Sequence, residues 1–549
     1  MTARRPWRFY GREKEVARLT NGLEIGTPLA KRHFEAIKVR GRRGIGKTGL
    51  LYHMKDRAPH DMPVIIHQMD GPDPQADKQP SEAEIKDHTQ TGNRKLLLAA
   101  TGAVGKNFEE RLPERTHLHD DKIWFKEVLT ALVQAGAVVV LDEFHHAAPL
   151  RLHHEVKQVI DAARGVCQGN RKDPGKIVLM GSHQQKVDAM FAADQPLYGR
   201  IDATYALQPW HLATTMTMAT EQGVLADPHR FLTLWTAYGG MPSHWHRYYT
   251  GPDYMHLHQK ENDKEWRQDW LKVEGDLLMN DERERWDAKA WIKLKDEQRE
   301  IMLWLGQNHP HRGATISDMP PTLRELPWRD EALRVLTERL KLLRPILPLL
   351  EKGRYRWVIN DNNTLFQTHV FPELVRPIMA PRGLEKNTRD SIRREQLPTP
   401  EELHARLTTL EGTVLERLAA TWLVERKGAT WTDTGRERSR VEGDMDVMGA
   451  TSGEKPRVWL GSAKRTSDKH RPAETRQFMD RFLADLGTSS HEDAKWLLTG
   501  TVERLLFATV FTPMEGDRIK EAGFEPVDLH DMARSFGIDP EPALSIYHT

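Results

Sequence analysis

The chain has 549 residues, enough for roughly three to four domains. Lys+Arg (80) balance Asp+Glu (79), and a net charge of +1 gives no global electrostatic case for a nucleic-acid partner, so any such case must rest on a local patch. The single cysteine, Cys167, excludes a disulfide framework and a cysteine-rich metal site and fits a reducing cytoplasm. The charged start MTARRPWRFYGREKE lacks the apolar stretch of a signal peptide, and no apolar run approaches the ~20 residues that span a bilayer, so no membrane partner is expected.

In chain order, FEAIKVRG at 34–41 reads as a short strand entering a glycine-rich turn, with a helix from Lys47 to Lys55. PVIIHQM (63–69) reads as the next strand. The polar tract 71–95 reads as a long loop. Helical patterning returns at 122–135. AVVVLDE (137–143) has the composition of a buried central strand; a helix (153–164) and the strand KIVLMGS (176–182) follow. Strands alternating with helices predict an α/β domain on a parallel sheet. From about residue 205 strand signals fade, and 210–305 carries Trp, Leu, Lys and Glu at helical spacing. EQREIMLWLGQN and the longer EALRVLTERLKLLRPI read as helices, with GRYRWVIND as a strand of a wing, the pattern of a winged helix. A charged, Pro-containing linker occupies 380–402. The last domain is predicted to open on a helix at 411–427, with strands at 443–449, 456–463, WLLTG and RLLFATVF.

GRRGIGKT at 41–48 fills every position of G-x-x-x-x-G-K-[ST], after a predicted strand and before a predicted helix. Gly41, Gly44 and Gly46 let the backbone turn its N–H groups toward phosphate oxygens. Lys47 supplies a point charge to the β- and γ-phosphates of ATP, and Thr48 a hydroxyl to Mg²⁺. Asp142, delivered to the carboxyl end of a central strand, is placed to hold Mg²⁺, and Glu143 to polarise the attacking water. His145 and His146 imitate a metal pair, but adjacent residues diverge, so surface or interface roles are expected for both.

With these motifs in order, the chain resembles an AAA+/STAND-type ATPase of the archaeal-ATPase family. FYGREKEVARL (9–19) is similar to the family's opening segment, which implies Arg12 near the nucleotide base. KIVLMGSHQQKVDAMF resembles the sensor-1 strand and helix, implying Ser182 near the γ-phosphate. PLYGR (196–200) makes Arg200 the implied arginine finger, acting across a subunit interface of a homo-oligomer; read alone, Arg200 also suits a capping or surface role. YGGMPSHW (238–245) resembles the lid motif, implying Pro242 near the nucleotide. Residues 297–366 are similar to the winged helix that follows the core in this family. Such a domain either reads DNA or packs on its neighbours, and Lys341, Arg344, Lys352, Arg354 and Arg356 are its best basic cluster.

Residues 411–485 resemble a restriction-endonuclease-like, PD-(D/E)XK, domain. The resemblance implies a site of Glu416, Asp444, Asp446 and Lys464, but Ser462 stands where the family places a glutamate, removing a carboxylate from the Mg²⁺ set. A nuclease-like fold kept for binding and an active nuclease both remain open.

The expected organisation is a P-loop ATPase core (1–205), a helical lid with connecting helices (206–295), a winged helix (296–380), a linker (381–402) and a nuclease-like α/β domain (403–549). The expected function is a Mg²⁺-dependent, oligomeric, DNA-engaged ATPase of the cytoplasm, in mobile-element or antiviral defence. The alternative is an ATP-controlled switch that senses a protein partner and has no nucleic-acid role.

Overall fold

Short runs of Val, Ile and Leu build the N-terminal sheet, because β-branched side chains pack well on a pleated surface buried on both faces. In the computed structural model these runs are β1 (Glu35–Arg40), β2 (Val64–Gln68), β3 (Val138–Asp142) and β4 (Lys176–Met180), joined at one edge by β5 (Ala203–Ala206). The structure describes residues 10–21, 34–42, 44–58, 62–71, 81–105, 121–167, 175–181, 184–280, 294–310, 313–346, 355–375, 398–434, 445–488 and 495–540. Ser182, Lys352, Arg354 and Asp444 lie outside them.

Two compact units divide at Pro209/Trp210. In the first, all five strands are parallel, in the order β2-β3-β4-β1-β5. β3 is buried along its whole length and flanked by β2 and β4. Helices α1 (Glu13–Asn21), α2 (Lys47–Arg57), α3 (Glu82–Val104), α4 (Asp121–Gln134), α5 (His153–Cys167) and α6 (Gln184–Ala189) connect the strands. The fold class is therefore α/β on a parallel sheet, as the alternation of elements predicts.

One sequence expectation needs correction here. The tract 71–95 is not one loop, since α3 begins at Glu82. Ser81 Oγ accepts from Glu84 N at 3.3 Å, and Glu84 Oε2 accepts from Ser81 N at 2.8 Å, a reciprocal cap that starts the helix. Ile85, Thr89, Asn93, Leu96 and Ala100 then form a buried stripe, while the polar residues that suggested a loop lie on its other faces. The edge strand at 203–206 is an element not expected from the sequence, although it ends where strand signals were expected to fade. β5 is a half-exposed edge strand with no apolar run, so composition does not reveal it.

The second unit opens with helices α7 (Leu212–Glu221), α8 (Pro228–Tyr238), α9 (Pro242–Thr250) and α10 (Asp263–Asn280). Next come the helix Asp296–Asn308, an isolated bridge of Ala314 to Trp357, two short helices within Pro321–Arg334, and an antiparallel hairpin of β6 (Leu343–Ile346) and β7 (Arg356–Ile359). The predicted helix through 346 therefore ends early. A wide turn at Val335–Arg339 and a left-handed Lys341 (φ 55°) close it, and Pro345, which has no N–H for a helix interior, sits in a strand.

The helix predicted at 411–427 begins earlier, at Pro400, started by a Thr399/Glu402 reciprocal cap and Pro400 in its first turn, so the end of the predicted linker is helical; beyond Trp422 it continues as a wider helical turn over Leu423–Lys427, ending where predicted. It precedes a mixed sheet ordered β12-β11-β10-β9-β8, made of β8 (Trp431–Thr434), β9 (Val447–Ala450), β10 (Arg457–Ala463), β11 (Thr501–Phe507) and β12 (Glu525–Val527). β8, β9 and β10 form an antiparallel meander, and β11 and β12 add in parallel. WLLTG is not a strand: Trp496–Thr499 is a tight helical turn held by Thr499 Oγ1 donating to Trp496 O at 2.7 Å.

Candidate functional site

β1 ends at Arg40, and the loop that follows turns into α2 through Gly44 (φ 82°) and Gly46 (φ 89°), left-handed positions that strain any residue bearing a Cβ. Lys47 opens the helix and is buried; its Nζ donates to Gly41 O at 2.7 Å and Arg42 O at 3.0 Å, so the ammonium rests inside the curve of its own loop. Thr48, beside it, is exposed. The first turn of α2 carries no acidic residue, which leaves the positive end of the helix dipole to an external anion.

Asp142 ends β3 and is buried, with Oδ1 accepting from Glu143 N at 2.9 Å. Burial pushes its carboxyl up from the ordinary carboxylate range. The Glu143 N–H and the charge of Lys47 pull the other way, which sets this carboxylate within electrostatic reach of the P-loop lysine. Glu143 follows in the left-handed region (φ 52°), rare for a residue other than glycine.

Of the two histidines expected in surface or interface roles, His146 is half-buried and His145 is buried; the rings lie 4.2 Å apart, tilted by 35°, and His145 Nδ1 stands 3.1 Å from Glu143 Oε2. Burial, then the neighbouring His145, holds His146 down to about 4. Both sit in a short helical turn (Phe144–Ala147), where consecutive side chains lie closer than on an extended strand.

Arg12 is also buried. It donates to Gln208 O, to Ile45 O at 3.4 Å and to Glu15 Oε1 at 3.2 Å, joining the start of α1 to the P-loop and to the residue pair after β5. Burial lowers its guanidinium pKa, partly offset by Glu15. Arg200 is half-buried, with Nε 2.5 Å from Asp161 Oδ1 on α5, and the Arg200 carbonyl accepts from Arg164 at 3.0 Å. Pro242 is buried at the first position of α9, in the second unit.

The second constellation stands at the ends of β9 and β10. Asp446, buried just before β9, gathers three donors on one oxygen: Ser462 Oγ and Ala463 N at 2.9 Å each and Lys464 Nζ at 2.8 Å, all to Oδ2. The antiparallel register, Val447 opposite Gly461, makes this meeting. Glu416 is half-buried on the helix Pro400–Trp422. Among the described residues no group of three or more His, Cys, Asp or Glu could hold a metal ion.

Two residues of this site were not legible as site residues. His470, buried, shares the Phe507 carbonyl with the Lys464 N–H, each at 2.9 Å; a carbonyl only accepts, so Nε2 carries the proton, and burial lowers the imidazole pKa. Glu411, almost wholly buried, accepts from Thr233 Oγ1 and Arg465 Nε at 2.6 Å each and faces Arg267 at 2.5 Å, fixing the residue after Lys464 to α8 and α10. The only sequence signal for either would have been a lone His or Glu, which by itself points nowhere.

No protein-family model matches the chain, and no curated protein matches it. Among solved structures it is similar to a Walker-type ATPase of Pyrococcus abyssi, at 18% identity over 66% of this chain and 96% of that one, with a TM-score of 0.40. It is also similar to the ORC2 protein of Aeropyrum pernix in its ADPNP–ADP complexes, at 13% identity over 66% and 93% and a TM-score of 0.40. A third is Cdc6p of Pyrobaculum aerophilum, at 11% identity over 68% and 96% and a TM-score of 0.32. Likenesses this remote decide nothing about chemistry, so the functional reading rests on the geometry of the two sites.

Proposed function

We propose that the chain is an ATP-binding and ATP-hydrolysing P-loop protein of the AAA+/STAND type, and that its C-terminal domain engages DNA without cutting it. The observation that carries the ATPase reading is the P-loop geometry: two left-handed glycines, a buried Lys47 inside the loop, and a dipole end left open to an anion. Thr48 and Asp142 fit a magnesium ion by their chemistry, an exposed hydroxyl and a strand-end carboxylate, both hard oxygen donors. When bound, that ion neutralises phosphate charge. Lys47 binds the β- and γ-phosphates, and Glu143 orients the attacking water and accepts its proton. Arg200 acts as an arginine finger between copies, Ser182 senses the γ-phosphate, and Arg12 and Pro242 flank the nucleotide.

The hairpin β6–β7 behind two short helices supports a winged helix. One helix, a three-strand meander and parallel β11 and β12 support a nuclease-like fold around Asp446 and Lys464. The saturated Asp446 Oδ2 argues against metal-assisted cleavage, because a carboxylate that already accepts three hydrogen bonds, one from an ammonium, is a weak ligand for a divalent cation. DNA engagement, a homo-oligomer and a role in mobile-element or antiviral defence complete the reading. The test is ATP turnover by the full chain, with and without double-stranded DNA. Turnover stimulated by DNA supports it. Turnover indifferent to DNA, with no DNA binding at low salt, favours the switch that answers to a protein partner.

A further inference from the structure

We propose that His145 is a positioning residue for Glu143: a fixed imidazole that holds the carboxylate where it meets the attacking water. The inference rests on the ATPase reading above and concerns only how its water-activating residue is held.

Glu143 needs an external hold. It follows β3 in a left-handed conformation, which non-glycine residues keep where their surroundings enforce it, and its side chain is about a quarter exposed (28%). His145 is the opposite, buried to 3%. Its ring lies against that of His146, centroids 4.2 Å apart and tilted by 35°. Gly181, directly after β4, also closes on it: an added Cβ there would stand 3.4 Å from His145 Nδ1 and 2.8 Å from Val187 Cγ2. His146 is backed in turn by Gly71, beyond the end of β2, where a Cβ would come within 2.7 Å of His146 Nδ1. The two rings are thus wedged between the ends of the strands on either side of β3. The buried ring faces the Glu143 carboxylate at its Nδ1 edge.

The approach of His145 Nδ1 to Glu143 Oε2 at 3.1 Å is a close electrostatic contact off the line of a hydrogen bond. With a proton on Nδ1, the imidazole engages Oε2, leaving Oε1 to accept from the water. That fixes which oxygen works and where it points, and misplacing a reacting group by about an ångström costs rate rather than affinity.

The experiment compares His145→Ala, His145→Asn, Glu143→Gln and the Glu143→Gln/His145→Ala double variant in the full chain. ATP turnover and the affinity for a non-hydrolysable ATP analogue are both measured. Expected is a fall in kcat of about ten- to a hundredfold for His145→Ala with analogue affinity and KM unchanged. Recovery is expected in His145→Asn, whose amide offers a donor near the Nδ1 position. The double variant should be no slower than Glu143→Gln, because a residue acting through another loses its effect once that other is disabled. Wild-type kcat in His145→Ala overturns the proposal, as does a double variant in which the two losses multiply, which marks an independent packing role. Should His145→Ala misfold, His145→Phe, which keeps a ring of similar bulk without the Nδ1 nitrogen, paired with Glu143→Gln gives the same cycle. The ATPase reading fails separately: Glu143→Gln at the wild-type rate removes the reading itself, whereas a slow Glu143→Gln beside a fast His145→Ala removes only His145.

Discussion

Both constellations pair a lysine with a carboxylate at the end of a strand, yet they treat charge in opposite ways. In the N-terminal unit, Lys47 gives hydrogen bonds to two neutral carbonyls, and the Asp142 carboxylate accepts from a backbone N–H. A phosphate, which carries full charge, outcompetes carbonyls for an ammonium. In the C-terminal domain Lys464 and Asp446 neutralise each other at 2.8 Å, with Ser462 and Ala463 N crowded on the same oxygen. The first arrangement meets its lysine with carbonyls that a phosphate can displace. The second has already used its charges within the protein. The same two residue types therefore predict turnover in one place and a structural clamp or a phosphate contact in the other.

The comparison breaks most directly at Lys47. Lys47→Ala is expected to reduce ATP turnover to background, because Arg42 precedes the curve of the loop and does not replace a buried ammonium. Glu143→Gln keeps nucleotide affinity while hydrolysis slows. Purified Lys47→Ala that hydrolyses ATP normally would sink the assignment of the whole N-terminal site.

Arg200 gives the next largest effect. Its ion pair with Asp161 holds it within its own chain and depresses the Asp161 pKa, so serving a neighbouring copy requires release from that pair. Arg200→Ala is expected to be inactive alone. Mixed one to one with Lys47→Ala in a shared oligomer, about a quarter of the interfaces join an intact loop to an intact finger, and turnover returns in that proportion. No recovery, with mixing proven by native mass, assigns Arg200 to its own subunit.

Asp446 sharpens the other side. Removing the acceptor shared by three donors, two of them buried, is expected to destabilise the C-terminal domain by about 2–3 kcal/mol in Asp446→Ala, read as earlier loss of hydrogen-exchange protection in β9 and β10. Neither Mg²⁺ nor Mn²⁺ should elicit cutting of plasmid or linear DNA by the wild type. Cleavage that an Asp446→Ala/Lys464→Ala double variant lacks would make the domain a working nuclease and erase the contrast.

What could be read in advance depended on how local the cause was. The P-loop is a matter of eight consecutive residues, and β3 a run of Val and Leu ending in Asp142, so spacing and composition were enough. The capping box Ser81–Glu84 was legible too, but the polarity of the tract 71–95 drew attention from it. Long-range causes were closed to inspection. Ser462 reads as a missing carboxylate, but its donation to Asp446 depends on the register of β9 against β10. The seating of the two histidines depends on Gly181, which closes on His145, and Gly71, which closes on His146, both contributed by segments far from them in sequence. Adjacent histidines were expected to diverge, and a single turn of helix brought them into contact instead.

A last test asks whether the two units respond differently to acid. His67 on β2 is 4% exposed and is held down to about 4, chiefly by burial, with Asp70 opposing and Lys95 adding to the effect. Unfolded, it titrates near the ordinary imidazole value of about 6.5. Between those values the unfolded chain binds a proton that the folded unit refuses, so stability is present above pH 6.5 and falls as the pH drops toward 4. From pH 7 to pH 5 the loss amounts to about 2 kcal/mol from this residue. His67→Leu removes the titration while keeping an apolar body against Phe125, whose ring lies 6.4 Å from that of His67. Urea unfolding of the full chain, followed by hydrogen exchange on peptides from β1 to β4, is expected to show the wild type losing about 2 kcal/mol more than His67→Leu over that pH range. Equal losses would mean that His67 takes up its proton in the folded state, with a neighbour such as Asp70 compensating its burial.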